Sequence, residues 1–142
     1  MSTTQPIRSK QLLHDFKEYF LTKQPNSRNY TLILIGLNTA LRINDILHLT
    51  WGDVYCTGHS RFYTHLLITE KKTEKETRIL INRELQETLL SYRKTQTSIA
   101  DTDYLFPSPR KADSPLSRYQ AYRIVRKAAE AVGIEDVIRC HS

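Results

Sequence analysis

The fifteen-residue stretch from Ser27 to Leu41, Ser-Arg-Asn-Tyr-Thr-Leu-Ile-Leu-Ile-Gly-Leu-Asn-Thr-Ala-Leu, constrains this chain more than any other. Tyr30, Ile33, Leu34, Leu37 and Leu41 recur at helical spacing, and Leu32 and Ile35 make the other side apolar as well. A helix that is apolar on nearly every side has to be surrounded, so the rest of the chain must pack against most of it. The run is far shorter than the roughly 20 apolar residues of a membrane span, so it reads as core and not as membrane. At 142 residues the chain is long enough to surround such a helix. Domains near this length bury about 68–70% of their unfolded surface without help from disulfides or structural metal. One domain, 1–142, is expected, with 1–26 forming an N-terminal helix and linker.

The remaining elements follow from periodicity and punctuation. Leu12, Leu13, Phe16 and Phe20 predict a helix over about Arg8–Leu21, broken by Pro25 and Asn26, with Ser27 capping the apolar helix. Ile43, Ile46, Leu47 and Leu49 predict a brief third helix that ends before Trp51. The segments Phe62–Ile68 and Thr77–Ile81 are rich in β-branched and aromatic residues and flank a polar run, which predicts one β-hairpin with a charged tip. Leu85, Leu89 and Tyr92 mark a helix over about Arg83–Thr95, and Ser98–Ser114 reads as a loop pinned by Tyr104-Leu105-Phe106. Ser117 and Gln120 form a capping box for a last full helix, whose buried face is Ala121, Ile124, Val125, Ala128 and Val132 and which Gly133 stops. The expected fold class is mainly α with a small antiparallel β-hairpin or sheet.

Charge narrows the partners. Lys+Arg number 21 against 15 Asp+Glu, a formal charge of +6, which favours a polyanionic partner such as nucleic acid. Only two cysteines occur, Cys56 and Cys140, far apart, so neither a disulfide framework nor a redox motif is suggested and the cytoplasm is the expected compartment. No secretory leader or lipidation signal opens the sequence. Cys56, His59, Cys140 and His141 match no standard zinc spacing, so no metal is expected. Glycine-rich phosphate loops, Gly-x-Ser-x-Gly elbows and His-Glu-x-x-His motifs do not occur, which leaves nucleotide hydrolase, serine hydrolase and metalloprotease chemistry without support.

Several residues are candidates for chemistry. Arg42 sits between the apolar Leu41 and Ile43 and needs an anionic partner. It could pair structurally with Asp45, three residues on, or it could fork two hydrogen bonds onto a phosphate while Asp45 orients it. Lys71, Lys72 and Lys75 cluster at the hairpin tip among Glu70, Glu74 and Glu76, either as a solvated tip or as a mobile turn that carries a lysine to a phosphate. Arg118, Tyr122 and Arg126 stack along the last helix, with Arg123 and Lys127 beside them, as a basic face that could touch a nucleic-acid backbone or simply face solvent. His141 has no sequence neighbour to give it a role on its own.

Taken together, the chain resembles the catalytic domain of the tyrosine recombinase (phage integrase) family from about Ser27 to the end. Arg28-Asn29-Tyr30 leading into the apolar helix, then the segment from Thr39 through Arg42 and Asp45 to Leu49, with Trp51 and Asp53, is similar to that family's first arginine box. Lys72-Thr73 before Arg78-Ile79-Leu80-Ile81-Asn82 is similar to its catalytic-lysine hairpin. Leu105-Phe106-Pro107-Ser108, Ala131-Val132-Gly133-Ile134 and His141-Ser142 resemble the approach to its His-x-x-Arg box.

The resemblance implies a tyrosine recombinase catalytic-domain fold acting on double-stranded DNA in site-specific recombination or integration, as in mobile elements. In that family a tyrosine attacks a phosphodiester, a phosphotyrosyl link stores the bond, and no metal or nucleotide is used. By resemblance Arg42 stabilises the phosphorane, Lys72 protonates the leaving 5′-oxygen and His141 assists at the phosphate; the residue reading adds Asp45 behind Arg42 and Lys71, Lys75, Arg118 and Arg126 as expected DNA contacts. Ala40 departs from the family's usual glycine. The second arginine and the nucleophilic tyrosine lack counterparts, because none of the eight tyrosines follows His141. The chain alone is therefore expected to be inactive, a fragment of a longer recombinase that assembles as a homotetramer on DNA. The competing expectations are a non-catalytic DNA-binding module with a degenerate integrase fold, and a helical protein-interaction domain whose charge is incidental.

Overall fold

The apolar helix is the centre of the architecture. In a computed structural model, which describes residues 6–69, 73–111 and 113–134, it forms α2 (Ser27–Thr39). Asn26, not Ser27, is its N-cap: Asn26 Oδ1 accepts the N–H of Asn29 at 3.0 Å. Asparagine caps at least as well as serine, and Ser27 instead begins the helix, its carbonyl accepting the Thr31 hydroxyl at 2.7 Å. Leu32, Ile33, Leu34 and Ile35 are all buried, Leu34 completely.

The other helices surround it. α1 (Pro6–Glu18) continues into a π turn over Tyr19–Lys23 and contributes Phe16 and Phe20 to the core, whereas Leu13 stays exposed. α3 (Ile43–Leu47) and α5 (Arg83–Lys94) pack on α2 together with α1, and α6 (Arg118–Val132) packs on α1 and α3. Lys17 of α1 makes an ion pair with Glu84 of α5, and Glu84 in turn accepts from Asn38 of α2 at 3.4 Å. Asn82 joins the same cluster by donating to Asn38 Oδ1 at 2.7 Å while capping α5 through the Leu85 N–H.

The expected hairpin forms, and a second short ribbon, which takes Phe62, precedes it. Between α3 and α5 lie α4 (Trp51–Val54), then β1 (Tyr55–Cys56) antiparallel to β2 (Arg61–Phe62), then β3 (His65–Thr69) antiparallel to β4 (Glu76–Leu80). The chain leaves the first ribbon at Tyr63-Thr64, where Tyr63 N–H bonds to Val54 O and Thr64 O accepts from Ile81 N–H, each at 2.8 Å. Alternation in β3 and β4 puts Leu66 and Ile79 inward and Leu67 and Leu80 outward. α4 was not expected from periodicity, yet Thr50 and Asp53 form its capping box.

An aromatic column holds the long loop in place. Tyr92 of α5 packs between Trp51 and Phe106, with ring centroids 5.6 and 6.0 Å away, and donates its hydroxyl to Leu105 O at 2.6 Å. The Arg93 guanidinium caps the column, 5.4 Å from the Trp51 ring and 4.0 Å from that of Tyr55. Leu105 and Phe106 are wholly buried, and the loop is zipped to α4 by Leu105 N–H to Leu49 O and Trp51 N–H to Asp103 O. Gly52 allows this close approach, because an added Cβ would lie 3.1 Å from Asp101 O. The capping box of Ser117 with Gln120 and the left-handed Gly133 bound α6 as expected.

Burial pushes the Tyr92 phenol up to about 12. A phenol in the unfolded chain titrates near 10, so this preference for the neutral form is complete below about pH 10 and is lost as pH rises through about 12. Unfolding free energy should therefore fall across that window by about 2–3 kcal/mol more in the parent than in Tyr92→Phe, measured by urea denaturation at pH 9 and pH 12. At neutral pH Tyr92→Phe should itself cost about 1–3 kcal/mol, because the buried Leu105 carbonyl loses its donor.

Candidate functional site

The site begins where α2 ends. Ala40 lies in the left-handed region, at φ 58° and ψ 20°, and its N–H closes the helix by donating to Gly36 O at 3.2 Å. That region costs a residue with a side chain roughly 1–2 kcal/mol, which explains why the resemblance pairs this position with glycine. The turn delivers Leu41 and Ile43 into the core, 8% and 9% exposed, and leaves Arg42 exposed between them. Thr39 braces the turn: its hydroxyl donates to Ile35 O at 2.6 Å and accepts from Leu41 N–H at 3.3 Å.

Arg42 is the N-cap of α3, extended at φ −69° and ψ 150°, and its carbonyl accepts from the N–H groups of Asp45 and Ile46 at 3.0 and 3.1 Å. Its backbone is thus fixed on both sides while its guanidinium faces solvent. The expected side-chain pair with Asp45 does not form: the described residues include both, and their side chains make no ion pair. Spacing does not force the pair: Arg42 is exposed, and an exposed ion pair repays the cost of ordering a long side chain only weakly.

α6 borders the same region. Leu41, Ile43 and Tyr122 line one apolar groove with Ile33, Gly36 and Val125, so the flanks of Arg42 and the middle of α6 meet there. Arg118 lies 5.8 Å from the Tyr122 ring centroid, and Arg126, one turn further along α6, is exposed. Tyr122 does not sit on an open basic face as the sequence suggested. Its hydroxyl is buried without a hydrogen-bond partner among the described residues, because α3 packs against this side of α6 and takes the ring inward.

The other candidates are more scattered. Lys75 is exposed near the tip of the β3–β4 ribbon, its N–H donating to Thr73 Oγ1 at 3.2 Å, beside Glu74 in the left-handed region at φ 57°. Lys71, Lys72 and His141 lie outside the described residues. The structure pairs Arg118 with Tyr122 on α6, sets the residues flanking Arg42 against Tyr122, and places Lys75 on a separate ribbon. Among the described residues no three His, Cys, Asp or Glu side chains converge as a metal site would require, and no helix is long and apolar enough to cross a membrane. Arg123 and Lys127, read from the sequence as part of a basic helix face, meet Arg28 in a second basic cluster, a meeting no local spacing could reveal.

Residues 5–142 match the model of the phage integrase family. The chain belongs to that family. It is 42% identical over 137 residues to the probable integrase/recombinase YoeC of Bacillus subtilis (strain 168), a match covering 96% of this chain and 69% of that protein. The fold is that of integrase-family catalytic domains in solved structures. XerA recombinase matches with a TM-score of 0.71 at 20% identity over 95% of this chain, and lambda integrase bound to DNA with 0.60 at 16% over 89%. The Tn1549 transposon integrase in complex with circular intermediate DNA matches with 0.55 at 19% over 92%. This integrase-family chain spans 44%, 42% and 45% of those three chains, less than half of each.

The strain at Ala40 gives a direct test of how Arg42 is held. Ala40→Gly should raise the unfolding free energy by about 0.5–1 kcal/mol, the relief of left-handed strain less the extra freedom of glycine in the unfolded chain. Ala40→Val should lower it by more than 1 kcal/mol, roughly, since a β-branched side chain fits that region worst. Urea denaturation midpoints of the two variants against the parent read both effects.

Proposed function

We propose that this chain is the phosphate-engaging part of a site-specific recombinase that integrates or rearranges double-stranded DNA by strand breakage and rejoining through a phosphotyrosine intermediate. The observation that carries the reading is Arg42, exposed, without a carboxylate partner among the described residues, and anchored by buried Leu41 and Ile43. On a backbone position fixed in this way, the free guanidinium can fork onto the non-bridging oxygens of a phosphodiester. It stabilises the more highly charged pentavalent phosphorane more than the ground state, which is the source of rate acceleration.

The remaining roles rest on the family resemblance. The tyrosine oxygen forms a bond to phosphorus as the bond to the 5′-oxygen breaks, and Lys72 gives its proton to that leaving oxygen. His141 assists at the phosphate or takes the phenolic proton. Lys71, Lys75, Arg118 and Arg126 neutralise flanking phosphates, and Asp45 stands behind Arg42. The nucleophile is proposed to come from a longer protein of which this chain is a part, one that acts as a homotetramer on DNA in the cytoplasm and uses no metal or cofactor.

The test uses that longer protein and a nicked suicide DNA substrate, from which the released strand cannot religate. A covalent protein–DNA adduct should accumulate, and Arg42→Ala should slow its formation by about 100-fold or more, as expected for loss of a charge-stabilising donor in the transition state. DNA binding with no adduct under any condition would establish the competing reading, a non-catalytic DNA-binding module.

A further inference from the structure

We propose that a groove at the opposite end of α2 from Arg42 is a phosphate-binding site, built from Arg28, Arg123 and Lys127. The groove, of about 370 Å³, lies between the start of α2 and the outer face of α6, and none of the residues lining it is acidic. Arg28 is half-buried, and its Nε donates to Oδ1 of the buried Asn29 at 2.9 Å. That bond fixes the plane of the guanidinium, and among the described residues its terminal Nη groups have no protein partner and no carboxylate lies within ion-pair distance. Lys127 is steadied by Gln24, which accepts from Nζ at 3.3 Å, and Arg123 lies one turn before it on the same exposed face of α6.

Three cations in one concave site, without an acid to neutralise them, hold a positive potential that a dianion relieves best. A phosphate monoester carries about −1.5 to −2 charge at pH 7 with three acceptor oxygens, a backbone phosphodiester carries one charge on two, and an arginine fork suits either. The site is separate from the one above. From Arg28 to the end of α2 the axis runs about 16 Å, so the two ends of this one helix would each engage a different phosphate. The volume exceeds that of a single phosphate, which suits a phosphate belonging to a larger molecule. Its source is either the backbone of a nucleic acid or a free phosphorylated compound, and the two are separable by experiment.

The experiment uses the full 142-residue chain and the double variant R123Q/K127Q, whose substitutions are on the exposed face of α6 and whose thermal unfolding should match the parent. Inorganic phosphate, titrated against chloride at constant ionic strength, is read from amide shifts of the groove residues. Binding to a 20-base-pair duplex is read as the slope of log K against log salt. In R123Q/K127Q the phosphate affinity should fall at least fivefold, the duplex slope should become shallower by about 0.9, or both, while Arg42→Gln leaves the groove shifts unchanged. Loss confined to the duplex slope assigns the site to nucleic-acid backbone, and loss confined to inorganic phosphate assigns it to a free phosphorylated ligand. A double variant indistinguishable from the parent with both probes overturns the proposal, whatever the outcome of the recombination assay.

Discussion

Everything in this structure depends on keeping water away from α2. Leu32, Ile33, Leu34 and Ile35 are buried in succession, so no side of that part of the helix faces solvent, and α1, α3 and α5 exist in these positions because something must cover it. At about 1.5–3 kcal/mol for each fully buried large aliphatic side chain, these four residues outweigh any surface ion pair in the molecule. A helix so enclosed is also a rigid rod, and both of its ends become fixed points from which side chains can be aimed.

The carboxyl end shows how that rigidity becomes chemistry. The left-handed Ala40 reverses the chain, Leu41 and Ile43 drop into the core on either side, and Arg42 is left facing solvent with no choice of backbone position. The fold accepts there a strained residue and a cation without a carboxylate partner among the described residues, and the proposed phosphate-engaging role rests on that pair of observations. The amino end repeats the pattern differently, with Asn26 capping and Asn29 orienting Arg28.

The sequence made the helical frame legible because each helix except the one-turn α4 is marked by a strong local signal. The 3.6-residue period of α2, the Ser117–Gln120 capping box and the Gly133 stop all appear as read, since capping and burial act over a few residues. Arg42 was legible for the same reason, as a charge set between two apolar residues. What could not be read depends on contacts distant in sequence. The extra ribbon ahead of the hairpin is fixed by Tyr63 and Thr64 bonding to Val54 and Ile81, and the burial of the Tyr122 hydroxyl by α3 packing on α6. The Arg42–Asp45 pair looked plausible by spacing alone and does not form, since an exposed ion pair gains little against the entropy of a long side chain. Lys72 and His141 owe their roles to family resemblance.

The central claim is that Arg42 engages a phosphate of the DNA. It is tested most directly by the salt dependence of duplex binding, measured for the 142-residue chain and for Arg42→Gln on the same DNA. Releasing one phosphate contact should make the slope of log K against log salt shallower by about 0.9. Parallel lines, with Arg42→Gln displaced by a constant factor or not at all, would contradict the account.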